Sequence, residues 1–236
     1  MSYEVIDLYS PNIRIVKNFL TKDEVDKILE VKNFSEDLWR LDYIQNYPKI
    51  EDVAENLRWA VAQWDGMCIN VTHDDWYKRY NLDQSYYLNL SERIKFHIEE
   101  RFNVSTLRKE QYLINRWRPG REQTPHLDYF YEEEANHDYE MLSMNNIPKE
   151  FLDTFGKMFQ TKHLSSLIYL NDDYEGGELW FPQYDNYSIK PEVGTLILFR
   201  GDENTLHGVK KVESGIRYTI SLFWEDTEYK NKIVKA

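Results

Sequence analysis

The stretch Arg217–Trp224, RYTISLFW, decides the class of fold. It alternates with a period of two. On an extended chain, Arg217, Thr219, Ser221 and Phe223 fall on one face and Tyr218, Ile220, Leu222 and Trp224 on the other. The composition is β-branched and aromatic, which suits a half-buried pleated surface. The apolar face is made to pack against a sheet or helices. The other face carries a guanidinium and two hydroxyls, and two readings of it stand. It is either the solvent face of an edge strand or the wall of a pocket. In a pocket, a guanidinium grips a carboxylate through two parallel hydrogen bonds, and the hydroxyls of Thr219 and Ser221 assist.

The same texture recurs upstream in QYLINRW (111–117), HLDYF (126–130), HLSSLIYL (163–170), GELWF (177–181) and GTLILF (194–199). Turn pairs separate these segments: Pro119-Gly120, Gly176-Gly177, Gly201-Asp202 and Ser214-Gly215. Before residue 105 the pattern is helical. Thr21 and Glu24 have the spacing of a capping box, followed by Val25, Ile28 and Leu29 at helical intervals. Residues 50–64 and 84–102 read as two more helices, and His97 within the second reads as a structural or surface histidine. Helices followed by many short strands predict an α+β fold, with N-terminal helices packed on one sheet of a β-sandwich or jelly roll. The expected organisation is a single domain over 1–236, with a helical part at 1–105 and a strand-built core at 106–226. Residues 131–162 interrupt the strands with an acidic run and a short helical segment that has Pro148 near its first turn. This insertion reads either as a lid over a site or as a solvated excursion.

Bulk properties narrow the function. The 236 residues carry a formal charge of −12, which argues against a chain built to grip phosphate backbones. No nucleic acid and no membrane partner is expected, and no run of 18 apolar residues is present. Cys68 is the single cysteine, so an intrachain disulfide is impossible and a cytoplasmic location is expected.

The chemistry begins at TPHLDYF, residues 124–130, where His126 and Asp128 stand one residue apart. With 6 His and 18 Asp in the chain, chance alone gives about 0.5 such pairs. His73 and Asp75 form a second one. What sets His126 and Asp128 apart is the segment LHGVKKVESGIRYTISLFW (206–224), with His207 ten residues before Arg217. Two histidines and one carboxylate, with positions left open, form the facial triad of non-haem Fe(II) oxygenases. A dicarboxylic keto acid suits the combination, one end on iron and the other on Arg217.

These segments resemble the 2-oxoglutarate- and Fe(II)-dependent dioxygenases, in particular the prolyl 4-hydroxylase-like branch. Four motifs match in order: NRWRPGREQTPHLDYF, LIYLNDDYEGGELWFP, IKPEVGTLILF and LHGVKKVESGIRYTISLFW. The likeness covers about residues 111–224, and more weakly IRIVKNFLTKDEVDKIL. It implies a double-stranded β-helix with the metal inside. His126, Asp128 and His207 match the iron ligands, and Arg217 matches the residue that holds the distal carboxylate of 2-oxoglutarate. Tyr169 matches a tyrosine that commonly joins it, and Leu179 matches an apolar pocket residue. The branch usually has tyrosines near positions 117 and 123, where this chain has Trp117 and Gln123. His73 and Asp75 match nothing.

The resemblance implies Fe(II) as cofactor, 2-oxoglutarate and O2 as co-substrates, and release of succinate and CO2. The substrate class stays open: prolyl, another amino-acid or peptidyl group, or a small molecule. Related halogenases carry a small residue in place of Asp128, so its presence favours hydroxylation. Two alternatives remain. One is a non-catalytic β-helix domain that binds a ligand or a partner. The other is a nucleobase demethylase, although that group has a second arginine where this chain has Phe223.

Overall fold

The computed structural model describes residues 3–9, 12–33, 39, 65–69, 81–104, 107–109, 112–128, 163–226 and 228. In chain order the elements are β1 (Glu4–Leu8), β2 (Ile13–Lys17), α1 (Lys22–Leu29), β3 (Asp65–Ile69), α2 (Gln84–Phe102), β4 (Leu107–Lys109) and β5 (Tyr112–Trp117). Next come β6 (Gln123–His126), β7 (Leu164–Tyr169), β8 (Tyr174–Gly176), β9 (Leu179–Phe181), β10 (Tyr187–Ile189), β11 (Leu196–Arg200), β12 (His207–Val209), β13 (Val212–Gly215) and β14 (Arg217–Asp226). The second expected helix, at 50–64, and the insertion at 131–162 lie outside the described residues.

Helix α1 starts as its sequence predicts. Thr21 Oγ1 accepts from the Glu24 N–H at 3.2 Å, and Glu24 Oε2 accepts from the Thr21 N–H at 2.8 Å. Orphan donors at the helix start are thereby satisfied reciprocally. Arg93 of α2 then ties the two helices to the chain before them, reaching Glu24 Oε1 and the Phe19 carbonyl, each at 2.5 Å. Helix α2 is capped by Asp83, which accepts from the Tyr86 N–H, and it ends at Asn103 in the left-handed conformation, φ 53°.

Among the described residues the strands form two larger sheets and one ribbon. The major sheet runs β1-β2-β11-β7-β14-β5-β3, with β4 also paired to β14. The minor sheet runs β10-β9-β12-β6, and β13 pairs with β8. The stretch expected to be helical, 1–105, therefore contributes three strands to the major sheet as well as its helices. β2 is buried nearly throughout because it lies between β1 and β11.

The alternation of β14 divides the interior. Tyr218, Ile220, Leu222 and Trp224 join Val25 and Ile28 of α1 and Leu90, Ile94 and Ile98 of α2 in one apolar cluster. The opposite face of the major sheet looks inward. There Tyr169, Ile197 and Phe199 meet Leu179 and Phe181 of the minor sheet, completed by Ile13 and Ile15. Arg217, Thr219 and Ser221 are 1%, 1% and 5% exposed, so the polar face of β14 is an interior wall and not a solvent face. Ser221 accepts from Asn115 Nδ2 at 2.7 Å, which answers one of these buried polar groups locally.

Candidate active site

Two clusters occupy the interior. The first is built on β6 and β12, which run antiparallel with His207 directly opposite His126. That register brings the two imidazoles to 4.4 Å between ring centroids. Strand β6 ends at His126, so the expected strand over 126–130 is not extended as far as Asp128. Asp128 sits in a bend, its backbone N–H donating to the Gly201 carbonyl at 3.0 Å. The His126–Asp128 convergence therefore comes from this turn and not from strand alternation. The carboxylate lies 3.5 Å from Nε2 of each histidine, Oδ1 toward His126 and Oδ2 toward His207. The three donor atoms lie within 4.8 Å of one another.

The surroundings prepare this cluster for a metal. His207 Nδ1 faces the Thr205 carbonyl at 2.9 Å. A carbonyl only accepts, so the proton belongs on Nδ1, and the Nε2 lone pair points at the cluster. Burial lowers the His207 pKa to about 4, with His126 pulling the same way and Asp128 and the Thr205 carbonyl opposing. Phe199, at 4.5 Å between ring centroids, supplies part of that apolar wall. The imidazole is therefore a neutral ligand at neutral pH. Ser165, on β7, donates its hydroxyl to Asp128 Oδ2 at 2.5 Å. Two imidazoles and one carboxylate, oriented by outer hydrogen bonds, are the donor set of a 2-His-1-carboxylate iron site.

The second cluster surrounds Arg217 at the start of β14. Its neighbours follow from register: Trp117 of β5 lies opposite Arg217, and Tyr169 of β7 lies opposite Thr219. Arg217 Nη2 donates to Tyr169 Oη at 3.1 Å, and the guanidinium lies 5.0 Å from the Tyr169 ring centroid and 5.3 Å from that of Trp117. Such faces attract a cation. Burial raises the Tyr169 pKa, opposed by Arg217, so this phenol is neutral. Among the described residues no carboxylate forms a salt bridge with Arg217, although it is 1% exposed. A buried guanidinium with hydroxyl and π partners only is suited to an anionic ligand.

The Gly-Gly turn acquires a reason here. Gly177 has φ +68°, and a Cβ on it would lie 3.1 Å from Arg217 Cδ. Only glycine lets the turn lie against the arginine stem in that backbone conformation.

His126, Asp128 and His207 thus converge in one cluster, Arg217, Tyr169, Trp117 and Thr219 adjoin one another on three paired strands, and Leu179 packs with Tyr169 in the apolar layer between the sheets. Gln123 is half-buried and lines a surface groove of about 300 Å³ with Pro125, Trp180 and Lys211. His73 and Asp75 lie outside the described residues. His97 is 5% exposed and packs edge-on against Tyr3, Phe19 and Phe96, far in sequence from either cluster. Ser165 was missed by sequence reasoning. Its signal was the parity of LSSLIY, which puts Ser165 on the same face as Tyr169.

Comparison with known proteins agrees with this arrangement. The sequence model of the 2OG-Fe(II) oxygenase superfamily matches residues 112–225. Human prolyl 3-hydroxylase 2 is 42% identical over 64 residues, 25% of this chain and 9% of that protein. Chicken prolyl 3-hydroxylase 1 is 34% identical over 64 residues, again 25% of this chain and 9% of that protein. These matches therefore span less than a tenth of the curated relatives. Among solved structures, the viral collagen prolyl hydroxylase of Paramecium Bursaria Chlorella virus-1 aligns at TM-score 0.56 and 15% identity, covering 92% of this chain and 97% of that one. A Trichoplax adhaerens prolyl hydroxylase, solved with a hypoxia inducible factor peptide fragment, aligns at TM-score 0.56 and 17% identity, covering 96% and 88%. The Pseudomonas putida prolyl-4-hydroxylase gives 0.54 and 15%, covering 93% and 95%. At these identities the structural likeness concerns the fold, which is the double-stranded β-helix. Residues 112–225, and with them both clusters, match the sequence model of the 2OG-Fe(II) oxygenase superfamily, whose members use Fe(II), 2-oxoglutarate and O2.

Proposed function

We propose that this protein is a hydroxylase in which His126, Asp128 and His207 hold Fe(II) and Arg217 holds the distal carboxylate of 2-oxoglutarate. The observation that carries the reading is the pairing of the two clusters: a three-donor metal site with open positions, and a buried arginine without a carboxylate partner among the described residues. Bound there, iron with 2-oxoglutarate and O2 would supply oxidative decarboxylation of the keto acid to succinate and CO2, coupled to hydroxylation of a substrate C–H bond. The protein's own part is orientation. Thr205 fixes the tautomer of His207, Gly201 places the Asp128 backbone, and Ser165 sets the turn of its carboxylate. Tyr169 and Trp117 hold the guanidinium toward one end of the keto acid, and Thr219 adds a hydroxyl beside Tyr169. Leu179, fully buried, excludes water from the same interior. The apolar walls keep these interactions in a low-dielectric space, where positioned charges act strongly.

The substrate we propose is a prolyl or other amino-acid side chain, free or in a peptide. The support is the likeness to prolyl hydroxylases, together with an acidic chain that favours neutral or basic partners. The test is anaerobic addition of Fe(II) and then 2-oxoglutarate, followed by the visible charge-transfer band of the chelate. The band is expected in wild type and absent in His207→Ala. Succinate release against a panel of peptides and amino acids then identifies the substrate. A folded wild-type protein that gives no band supports the non-catalytic binding domain instead.

A further inference from the structure

The arginine cluster holds one more phenol than the metal and co-substrate reading uses. Tyr174 opens β8, five residues after Tyr169, and is 2% exposed. Its place is set by glycines on two sides. Gly215 lies opposite Tyr174 in the β8–β13 ribbon, where a Cβ would come within 2.8 Å of Tyr174 Cα. Gly177 gives way to both side chains at once. A Cβ there would lie 3.1 Å from Arg217 Cδ and 3.3 Å from Tyr174 Cε2. The phenol ring and the arginine stem therefore converge over one glycine. Lys190 Nζ sits 4.5 Å from the Tyr174 ring centroid and donates to the Tyr174 carbonyl, which fixes the ring further.

The hydrogen-bond inventory of this corner is incomplete. Tyr174 Oη and Arg217 Nε are both buried, and neither meets a partner at full hydrogen-bond geometry among the described residues, although the phenol lies within reach of the Arg217 guanidinium. Each such group carries the cost of lost hydration without a well-formed replacement bond. Tyr169 Oη accepts from Arg217, so its own O–H remains available to donate. Burial pushes the Tyr174 phenol up to about 12, opposed by the nearby guanidinium, so it stays a neutral donor near pH 7. Unmet donors gathered around a cation describe a cradle for an anion. Resting on the 2-oxoglutarate reading above, we propose that Tyr174 is a third contact to the distal carboxylate, donating its hydroxyl beside Arg217 and Tyr169.

Binding, and not turnover, provides the test. Anaerobic Fe(II)-loaded wild type and Tyr174→Phe are titrated with 2-oxoglutarate and, separately, with pyruvate, which has the chelating keto acid but lacks the distal carboxylate. Loss of a hydrogen bond to a charged group is expected to weaken 2-oxoglutarate roughly 10-fold in Y174F. Pyruvate affinity should stay within about 2-fold in the same comparison. The melting temperature of the ligand-free variant should change little, because the hydroxyl removed makes no well-formed hydrogen bond there. Unchanged 2-oxoglutarate affinity in Y174F overturns the assignment of Tyr174 and leaves the dioxygenase reading standing. Equal losses for both keto acids also overturn it, since they indicate a change in the shape of the site. A wild type that binds neither keto acid removes the dioxygenase reading and this assignment together.

Discussion

The two clusters share one interior but are held in place differently. Arg217, Thr219, Tyr169 and Trp117 stand on β14, β7 and β5, three strands in continuous antiparallel register. Their relative positions follow from pairing that many backbone hydrogen bonds enforce together. The metal cluster stands on β6, an edge strand of the minor sheet among the described residues, and on its neighbour β12. β12 has three residues, its register with β6 shifts between His207 and Val209, and Asp128 lies beyond the strand end. Here strand pairing places only the two histidines, and separate bonds complete the positioning: Gly201 to the Asp128 backbone, Ser165 to its carboxylate, Thr205 to His207. A site set by register tolerates the loss of any one support, whereas a site set by separate bonds loses geometry with each.

The sharpest way to break the comparison is at the ligands. Asp128→Ala or His207→Ala should lower Fe(II) affinity by more than about 100-fold, beyond the 10–100-fold range of outer partners. Equilibrium dialysis measures this, and the protein should remain folded. Next, Arg217→Ala should weaken 2-oxoglutarate by about 100-fold, the usual cost of removing one member of a buried charge pair. Fe(II) affinity in the absence of the keto acid should be unaffected, and a large change there would show that the clusters are not independent.

Ser165 sharpens the contrast most directly. Ser165→Ala should lower Fe(II) affinity about 10-fold, and Ser165→Thr, which keeps the hydroxyl, should recover most of it. Calorimetric titration with Fe(II) under nitrogen distinguishes these outcomes. If S165A binds iron as wild type does, the metal site is more rigid than its separate supports imply. Gly177→Ala should act on the other cluster only. Its φ of +68° and the 3.1 Å approach to Arg217 Cδ predict a loss of stability of about 1 kcal/mol and several-fold weaker 2-oxoglutarate binding.

The smallest effect lies outside both clusters. Burial lowers the His97 pKa, and Arg14 acts in the same direction. The unfolded chain, with an ordinary histidine pKa of about 6.5, therefore binds a proton that the native state withholds. Stability falls as pH drops through that value, and the loss levels off once native His97 also protonates. Urea melts at pH 7 and pH 5 should lose less than about 1 kcal/mol to this residue. His97→Gln should remove that increment while leaving the contribution of His207 in place.

How much was legible in the sequence depended on how local the cause was. The faces of β14 were readable because side-chain alternation is a property of a single strand. The start of α1 was readable because Thr21 and Glu24 satisfy each other within four residues. The donors His126, Asp128 and His207 and the cation Arg217 were readable from residue type, order and spacing. The route by which Asp128 reaches the cluster was not, because it depends on the Gly201 carbonyl, 73 positions along the chain. β1, β2 and β3 were hidden for the same reason. A five-residue segment such as IRIVK becomes an interior strand only when β1 and β11 arrive on its two edges.

By itself, then, the sequence determined the chemical inventory and the alternating strands that carry it, since both are written in residues near one another. Tertiary structure decided which neighbours each of those residues acquired: Ser165 for Asp128, Thr205 for His207, and the two phenols beside a buried arginine. Those pairings depend on sheet register and on where glycines let one chain approach another, and neither is a property of a segment taken alone.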